Sequence, residues 1–233
     1  YPTAMNSSRH RKKVLFILGM HRSGTSALAG CIHLSGISGG REMLEPAFDN
    51  EKGFFENRQV FQINEGILAE LGLRWDSPFD LPGGWVSEAR LRKHKQAIAN
   101  FLTSELMNRP ALYVKDPRLC FLMPLWLEVL KELEVESASI VIVRHPAEVF
   151  HSLRRRNNLD KNKALSLWLN HLLQAEKNSR NTPRRLLFYN DLLEKPVATV
   201  EQVLRDFQLL PPEKDWQNRR TAIQDFIDKK LKH

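Results

Sequence analysis

The feature that most constrains the fold is an apolar run near the start of the chain that leads through a glycine-containing loop into a helical pattern. Residues 14–18 (VLFIL) are continuously apolar, which is typical of a parallel strand covered on both faces. The loop over residues 19–26 (GMHRSGTS) follows at once, and apolar residues at helical spacing continue to residue 34. This order predicts an anion-binding site, because backbone N–H groups at the start of such a helix converge on phosphate or sulfate.

The loop has the spacing of the nucleotide-binding pattern G-x-x-x-x-G-K-[ST], with one departure. Thr25 occupies the lysine position, so that Arg22 is the cation of the loop. A nucleoside triphosphatase needs that lysine on the β- and γ-phosphates and a hydroxyl group on Mg²⁺. An arginine, in contrast, can bind a sulfate or phosphate through two parallel hydrogen bonds without a metal. The hydroxyls of Thr25 and Ser26 add donors where the helix begins.

Further apolar runs over residues 112–114, 139–143 and 186–189 alternate with helical patterns along the rest of the chain. Strands that alternate with helices indicate an α/β fold with a parallel β-sheet flanked by helices. Together with the first loop, they predict a P-loop-containing nucleotide-binding fold. The helical patterns cover residues 26–34, 60–71, 89–107, 122–133, 146–156, 164–177, 197–207 and 217–231.

Length and composition suit one folded unit. With 233 residues and 42% hydrophobic content, we assign residues 13–233 to a single domain and residues 1–12 to a disordered or tag-derived N-terminus. Cys31 and Cys120 lie in apolar segments, which indicates buried thiols and a reducing compartment. The sequence shows no signal peptide and no apolar run long enough for a transmembrane segment, so we expect a cytoplasmic protein. The net charge of +8 favours anionic ligands in general.

An arginine and a serine mark the end of the third strand. Arg144 follows residues 139–143 directly, at the carboxyl end of a strand, where ligands of open α/β sheets bind. Pro146 suits the first turn of a helix, and Ser152 falls about two turns along that helix. The two side chains can therefore hold one phosphate from two sides.

The second strand ends in Lys115, Asp116, Pro117 and Arg118. A lysine at this point can stabilise the departing phosphate of an in-line group transfer without a metal. Lys115 is the candidate for this role, and a structural pair with Asp116 is the alternative. Asp116 and Arg118 can also form an internal ion pair that positions the end of the strand.

These motifs resemble those of sulfotransferases that use 3′-phosphoadenosine 5′-phosphosulfate (PAPS), of the bacterial type. The first loop resembles the family's 5′-phosphosulfate loop, and the Arg144 and Ser152 pair resembles its 3′-phosphate site. The Lys-Asp-Pro run is similar to that of tyrosylprotein-type members, whose lysine acts on the leaving group. Tyr189 resembles the tyrosine of a Tyr-x-Asp-Leu run that lies near the adenine. The implied cofactor-binding residues are Arg22, Ser23, Gly24, Thr25, Ser26, Arg144, Ser152 and Tyr189.

A base must take the proton of the acceptor. Cytosolic members keep a histidine just after their lysine, and this chain lacks it. Residues 50–57 (NEKGFFEN) look like a segment that recurs in bacterial sulfotransferases, and glutamate-type members place their base there. The resemblance implies Glu56 as the base, with Asp116, Glu51 and His21 as alternatives. A helix-capping role for Glu56 is equally open.

The sequence therefore predicts an enzyme that moves a sulfuryl group from PAPS to a hydroxyl or amine of a carbohydrate or small-molecule acceptor. Glu56, Lys115 and Arg22 are its predicted catalytic residues, with no metal and no nucleic-acid partner. A P-loop kinase or NTPase-like phosphotransferase is the alternative. A non-catalytic binder of an acidic polymer is a further alternative, suggested by the charge alone. The acceptor, the segment that covers the cofactor and the oligomeric state stay open.

Overall fold

A computed structural model of the chain describes residues 12–45, 53–77 and 81–227. These residues form a central sheet of four parallel strands in the order β2-β1-β3-β4, with helices on both faces. The predicted α/β fold class, with a parallel sheet flanked by helices, is confirmed. The strands are β1 (Lys13–Leu18), β2 (Ala111–Lys115), β3 (Glu136–Val143) and β4 (Arg184–Phe188).

The central strand β1 explains why the apolar runs are continuous. Alternate side chains enter two separate cores, with Phe16 in one and Leu15 and Ile17 in the other. A strand that is covered on both faces cannot tolerate a polar residue at every second position. On the outer side of β2, the backbone N–H of Tyr113 donates to the carbonyl of Ser38 at 2.9 Å. Strand β4 forms the opposite edge of the sheet.

Helices cover the two faces in separate groups. One face carries α2 (Arg58–Glu70), α3 (Arg92–Leu106), α4 (Leu119–Glu132) and α6 (Lys161–Ser179), and the other carries α1 (Thr25–Leu34), α7 (Tyr189–Glu194), α8 (Pro196–Asp206) and α9 (Glu213–Phe226). Helix α5 (Pro146–Asn157) follows β3 and packs against α6. Two short 3₁₀ turns, Trp85–Ser87 and Ala89–Leu91, precede α3.

The helix that follows β2 begins earlier than predicted and contains an internal proline. Asp116 Oδ1 accepts the backbone N–H of Arg118 at 2.8 Å and so holds the turn that leads into α4. Pro124 lies inside α4 and has no N–H to donate to the carbonyl of Cys120. The side-chain amide of Asn178 donates to that carbonyl instead, at 2.8 Å. The helix therefore continues through the proline without leaving this carbonyl unpaired.

The strand predicted over residues 186–189 ends at Phe188, and Tyr189 begins the short helix α7, which the sequence analysis did not predict. Cys31 and Cys120 are buried and are not joined by a disulfide, as predicted. The predicted N-terminal segment lies outside the described residues except for position 12, and none of the described helices is long and apolar enough to cross a membrane.

Candidate active site

The loop between β1 and α1 has the compact shape of an anion-binding turn. The N–H of Ser23 donates to the carbonyl of Met20 at 3.1 Å, and the N–H of Leu28 donates to the carbonyl of Gly24 at 3.0 Å, which begins the helix. Arg22 and Gly24 both have positive φ values, 68° and 93°. Left-handed residues next to a helix start turn successive N–H groups towards one point, where an anion binds.

Gly24 is required at its position for steric reasons as well. A Cβ atom there would lie 2.2 Å from Cδ2 of Tyr189, so any side chain would collide with the tyrosine ring. The same ring lies under the guanidinium group of Arg144, whose Cζ is 4.7 Å from the ring centroid. The buried Tyr189 thus supports both the loop and Arg144.

The two predicted phosphate motifs, which are far apart in sequence, are in direct contact. Arg22 Nε donates to Ser152 Oγ at 2.7 Å, and Arg144 Nη1 donates to the backbone carbonyl of Arg22 at 3.1 Å. Arg144 is positioned further by Glu148, which accepts from its Nε at 2.8 Å. Trp168 donates its indole N–H to the Arg144 carbonyl at 3.0 Å. Sequence analysis assigned no role to Glu148 or Trp168.

Lys115 joins the second strand to the first loop and to the predicted base. Its ammonium group, with the residue 3% exposed, donates to Ser26 Oγ at 3.0 Å, to the carbonyl of Phe54 at 2.9 Å and to Glu56 Oε1 at 2.6 Å. All three of its donors are thus satisfied. The structure therefore places Lys115, Ser26 and Glu56 in one cluster, at the carboxyl end of the sheet.

Glu56 is a buried carboxyl group with a shifted pKa. Burial raises the pKa of Glu56 above its ordinary value, the Lys115 ammonium opposes that rise, and the Asp116 carboxylate adds to it. The capping role is filled by its neighbour Asn57, whose side chain accepts from the N–H groups of Gln59 at 2.9 Å and Val60 at 3.4 Å. Glu56 is therefore not the cap of α2.

Asp116, an alternative base, is occupied by structural contacts. Its Oδ1 accepts from the backbone N–H of Arg118 at 2.8 Å and from the Arg118 guanidinium at 2.9 Å, and its Oδ2 accepts from Asn64 Nδ2 at 3.2 Å. Trp126 fixes Asn64 in turn, because its indole N–H donates to Asn64 Oδ1 at 2.9 Å. The ion pair predicted between Asp116 and Arg118 is present, and it holds the end of β2.

His21, another alternative base, lies among aromatic rings. Its ring is 4.7 Å from that of Trp75 and 6.4 Å from that of His171. Burial first and then the Arg156 charge lower the pKa of His21 well below its ordinary value, so that the imidazole is neutral at neutral pH. Its Nε2 is buried and accepts or donates no hydrogen bond within the described ranges.

Trp75 and His171 carried no signal in the sequence, because only the fold brings them to the loop. The last alternative base, Glu51, lies outside the described residues. Within the described residues, no group of three or more His, Cys, Asp or Glu side chains has an arrangement that could hold a metal ion.

Comparison with known proteins gives a consistent fold assignment. No family model matches the chain. A curated Caenorhabditis briggsae protein, provisionally named a protein-tyrosine sulfotransferase, is 23% identical over 208 residues, which is 82% of this chain and 64% of that protein. The chain therefore spans less than two thirds of the length of this relative.

Three solved structures share the architecture. The sulfotransferase domain of the Synechococcus PCC 7002 olefin synthase superposes with a TM-score of 0.56 at 18% identity, covering 95% of this chain and 86% of that one. The sulfotransferase domain of the curacin biosynthetic pathway gives 0.54 at 18% identity, over 89% and 77%. A Mycobacterium tuberculosis H37Rv sulfotransferase gives 0.53 at 13% identity, over 92% and 74%. The chain thus has the sulfotransferase fold.

Proposed function

We propose that this protein is a PAPS-dependent sulfotransferase. The observation that carries the proposal is the contact between the two phosphate motifs, where Arg22 meets Ser152 at 2.7 Å although 130 positions separate them in sequence. Lys115 reaches the same loop through Ser26. A cofactor with a 5′-phosphosulfate and a 3′-phosphate needs two anion-binding sets side by side, and these contacts support such an arrangement.

The residues fit such a cofactor in charge. Arg22 and the loop through Ser26 would hold the 5′-phosphosulfate, and Arg144 with Ser152 would hold the 3′-phosphate. Charge-assisted hydrogen bonds from guanidinium groups suit both anions. Tyr189 would adjoin the adenosine, since its ring already packs between Gly24 and Arg144. When bound, the cofactor supplies the sulfuryl group.

We assign the stabilisation of the leaving group to Lys115 and the removal of the acceptor proton to Glu56. Lys115 would stabilise the charge that develops on the departing phosphate, as preorganised cations do in group transfer. Glu56 would accept the proton of the acceptor hydroxyl. The 2.6 Å contact between them keeps both groups in place, and a shift of the lysine towards the leaving group would release the carboxylate to act as a base.

The acceptor is expected to enter beside His21. Trp75, whose ring lies 4.7 Å from that of His21, also lines a small, mainly apolar cavity of about 20 Å³ together with Leu68, Leu73, Phe121 and His171. This volume holds about one water molecule, so the side chains around Trp75 would have to move apart to admit a sugar ring or another small hydroxyl-bearing molecule. Mass spectrometry of the purified protein with PAPS and separate carbohydrate, small-alcohol and tyrosyl-peptide mixtures would identify the acceptor, because sulfation adds a defined mass to one component.

Arg144→Ala is expected to remove the preference for a 3′-phosphate. The wild-type protein should bind adenosine 3′,5′-bisphosphate well and AMP poorly. A charged hydrogen bond is worth about 1.5–3 kcal/mol, so the variant should lose roughly 10–10²-fold in affinity for the bisphosphate and little for AMP. Isothermal titration measures both affinities.

Arg180→Ala is the matched control for this titration, because Arg180 also pairs with a glutamate four positions away, Glu176, but on the outer surface of α6. It should bind both nucleotides like the wild type. Equal wild-type affinity for AMP and the bisphosphate would contradict the assignment of Arg144 and Ser152.

Sulfuryl transfer is expected to proceed without a divalent metal, because Arg22 and Lys115 supply the positive charge. The rate of PAPS consumption with the identified acceptor should be the same in EDTA and in Mg²⁺. The loop spacing alone would also suit a kinase or NTPase-like phosphotransferase. Activity that disappears in EDTA and returns with Mg²⁺, together with thermal stabilisation by Mg-ATP rather than by the bisphosphate, would favour that class.

A further inference from the structure

Strand β4 is an open edge of the sheet as far as residues 12–45, 53–77 and 81–227 show, and this edge carries exposed apolar side chains. Among the described residues, the large hydrophobic side chains that are mostly exposed are Met107, Leu169, Leu173, Leu186 and Phe188. Leu186 and Phe188 lie on β4, with 56% and 54% of their surface exposed. Leu169 and Leu173 lie on α6, in the helical layer that precedes this strand. An edge strand with apolar side chains is a template for pairing with another strand.

The backbone of β4 also presents hydrogen-bonding groups to this open side. The N–H of Ser139 in β3 donates to the carbonyl of Pro183 at 2.9 Å, just before β4 begins. In a parallel pair, alternate residues direct both backbone groups to the same neighbour. Arg185 and Leu187 therefore face β3, and the backbone groups of Leu186 point outwards.

The side chains of β4 divide in the same alternating way. Leu187 is buried in the core beneath α7 and α8. Leu186 and Phe188, together with Arg184, consequently stand on the face of the sheet that α6 covers. Arg184 is anchored on that face, because its guanidinium donates to the carbonyl of Glu176 in α6 at 2.8 Å.

We propose that β4 pairs antiparallel with β4 of a second copy of this chain, about a two-fold axis at Leu186, to give a continuous eight-stranded sheet. Leu186 would then exchange two backbone hydrogen bonds with its counterpart. Arg184 of each copy would lie opposite Phe188 of the other, which pairs a cation and its aliphatic stem with an aromatic ring. A two-fold axis satisfies both edges with one contact.

Charge also favours a second copy over an unrelated strand. Arg184 pairs with Glu176 on the face that α6 covers. Arg185 lies on the opposite face, where it pairs with Asp206 of its own chain, and that face also carries α7 with its exposed Asp191 and Glu194. An antiparallel arrangement brings Arg185 of one strand towards the acidic helix that follows the other. A parallel arrangement would place like charges together. The sequence of this edge is therefore complementary to itself in the antiparallel direction.

Leu186→Lys tests the proposal, because it places two ammonium groups opposite each other at the axis. By light scattering after size exclusion over a dilution series, the wild-type protein should show twice the chain mass of 27.0 kDa, and Leu186→Lys should show the monomer mass. The matched control is Met107→Lys, which adds the same charge at a side chain that is 66% exposed at the end of α3. This control should stay dimeric.

A cross-link adds information on the register. Cys31 and Cys120 are buried, so a short bis-maleimide should join two chains of Leu186→Cys and should not join two chains of Met107→Cys. A wild-type protein that is monomeric at every concentration, as expected if another protein or another segment covers this edge, would overturn the proposal. A dimer that persists in Leu186→Lys would overturn it equally. Neither result bears on cofactor binding, which the bisphosphate titration reports separately.

Discussion

Replacing Lys115 with methionine is expected to lower kcat by about 10²–10³-fold, the effect of removing one preorganised charge-stabilising donor from an active site. The lysine contacts Ser26 at the start of α1 and is almost fully buried. Methionine keeps most of the apolar stem and removes only the charge. Affinity for adenosine 3′,5′-bisphosphate should change little, because Arg22, Arg144 and Ser152 remain.

Stability must be measured on the same Lys115→Met variant. Removing one partner of a buried ion pair costs about 3–5 kcal/mol when the other partner stays charged. Glu56 can avoid much of this cost by taking up a proton, since burial already raises its pKa. If the single variant is poorly folded, Lys115→Met combined with Glu56→Gln leaves a neutral pair, and its bisphosphate affinity shows whether the site is intact.

Lys95→Met is the control for general effects of losing a lysine. Lys95 on α3 forms an ion pair with Glu128, away from the phosphate loop, and its loss should leave kcat unchanged. Near-wild-type turnover in a folded Lys115→Met variant would show that another group stabilises the leaving phosphate. A loss of bisphosphate affinity equal to the loss of turnover would instead make Lys115 a binding residue.

The fold could be predicted because its strongest signals are local. The run over residues 14–18 is apolar at every position, since β1 lies between two cores, and the glycine-containing loop with its left-handed Arg22 and Gly24 follows at once. Helix α7 was not predicted for the opposite reason. It has six residues, too few for a helical period to show, and its first residue is Tyr189, which continues the apolar pattern of β4.

The sequence named the residues of the candidate site, but it did not indicate how these residues contact one another. The sequence placed Arg144 at the end of β3 and Ser152 about two turns along the helix that follows, yet the bond from Arg22 to Ser152 depends on the left-handed backbone at Arg22. The contact of Lys115 with Glu56 joins segments that are 59 positions apart. No pattern along the chain encodes such a pair, because it forms only when β2 and the segment before α2 pack together.

The structure distinguishes between two candidate bases, Asp116 and Glu56, that the sequence left as alternatives. Both Asp116 and Glu56 are buried carboxyl groups near Lys115. Asp116 accepts hydrogen bonds on both carboxylate oxygens, from Arg118 and Asn64. These hydrogen bonds fix the start of α4. A carboxylate whose lone pairs are engaged in this way is held away from proton transfer with an acceptor. Glu56, which contacts the Lys115 ammonium through Oε1, is the better candidate.

Glu56→Gln is therefore expected to lower kcat by about 10²–10⁴-fold, the usual contribution of general-base assistance, with bisphosphate affinity nearly intact. The change is isosteric, and the amide oxygen can still accept a hydrogen bond from Lys115. Glu105→Gln is the matched control, because Glu105 is also a buried carboxylate but is bound by Arg41 and Arg109 rather than by Lys115. It should keep full turnover, with a loss of stability only.

The pH profile separates a catalytic Glu56 from a structural one. A base works only when deprotonated, so kcat of the wild type should fall as the pH drops through the pKa of Glu56. Because burial raises that pKa, the fall should lie at higher pH than for an ordinary carboxyl group. Glu56→Gln should lack this acidic limb altogether, whereas a purely structural role would leave the limb in place. If Glu56→Gln keeps near-full turnover while Asp116→Asn loses turnover at unchanged melting temperature, the base is Asp116 and the contacts of its two oxygens must rearrange when the cofactor binds.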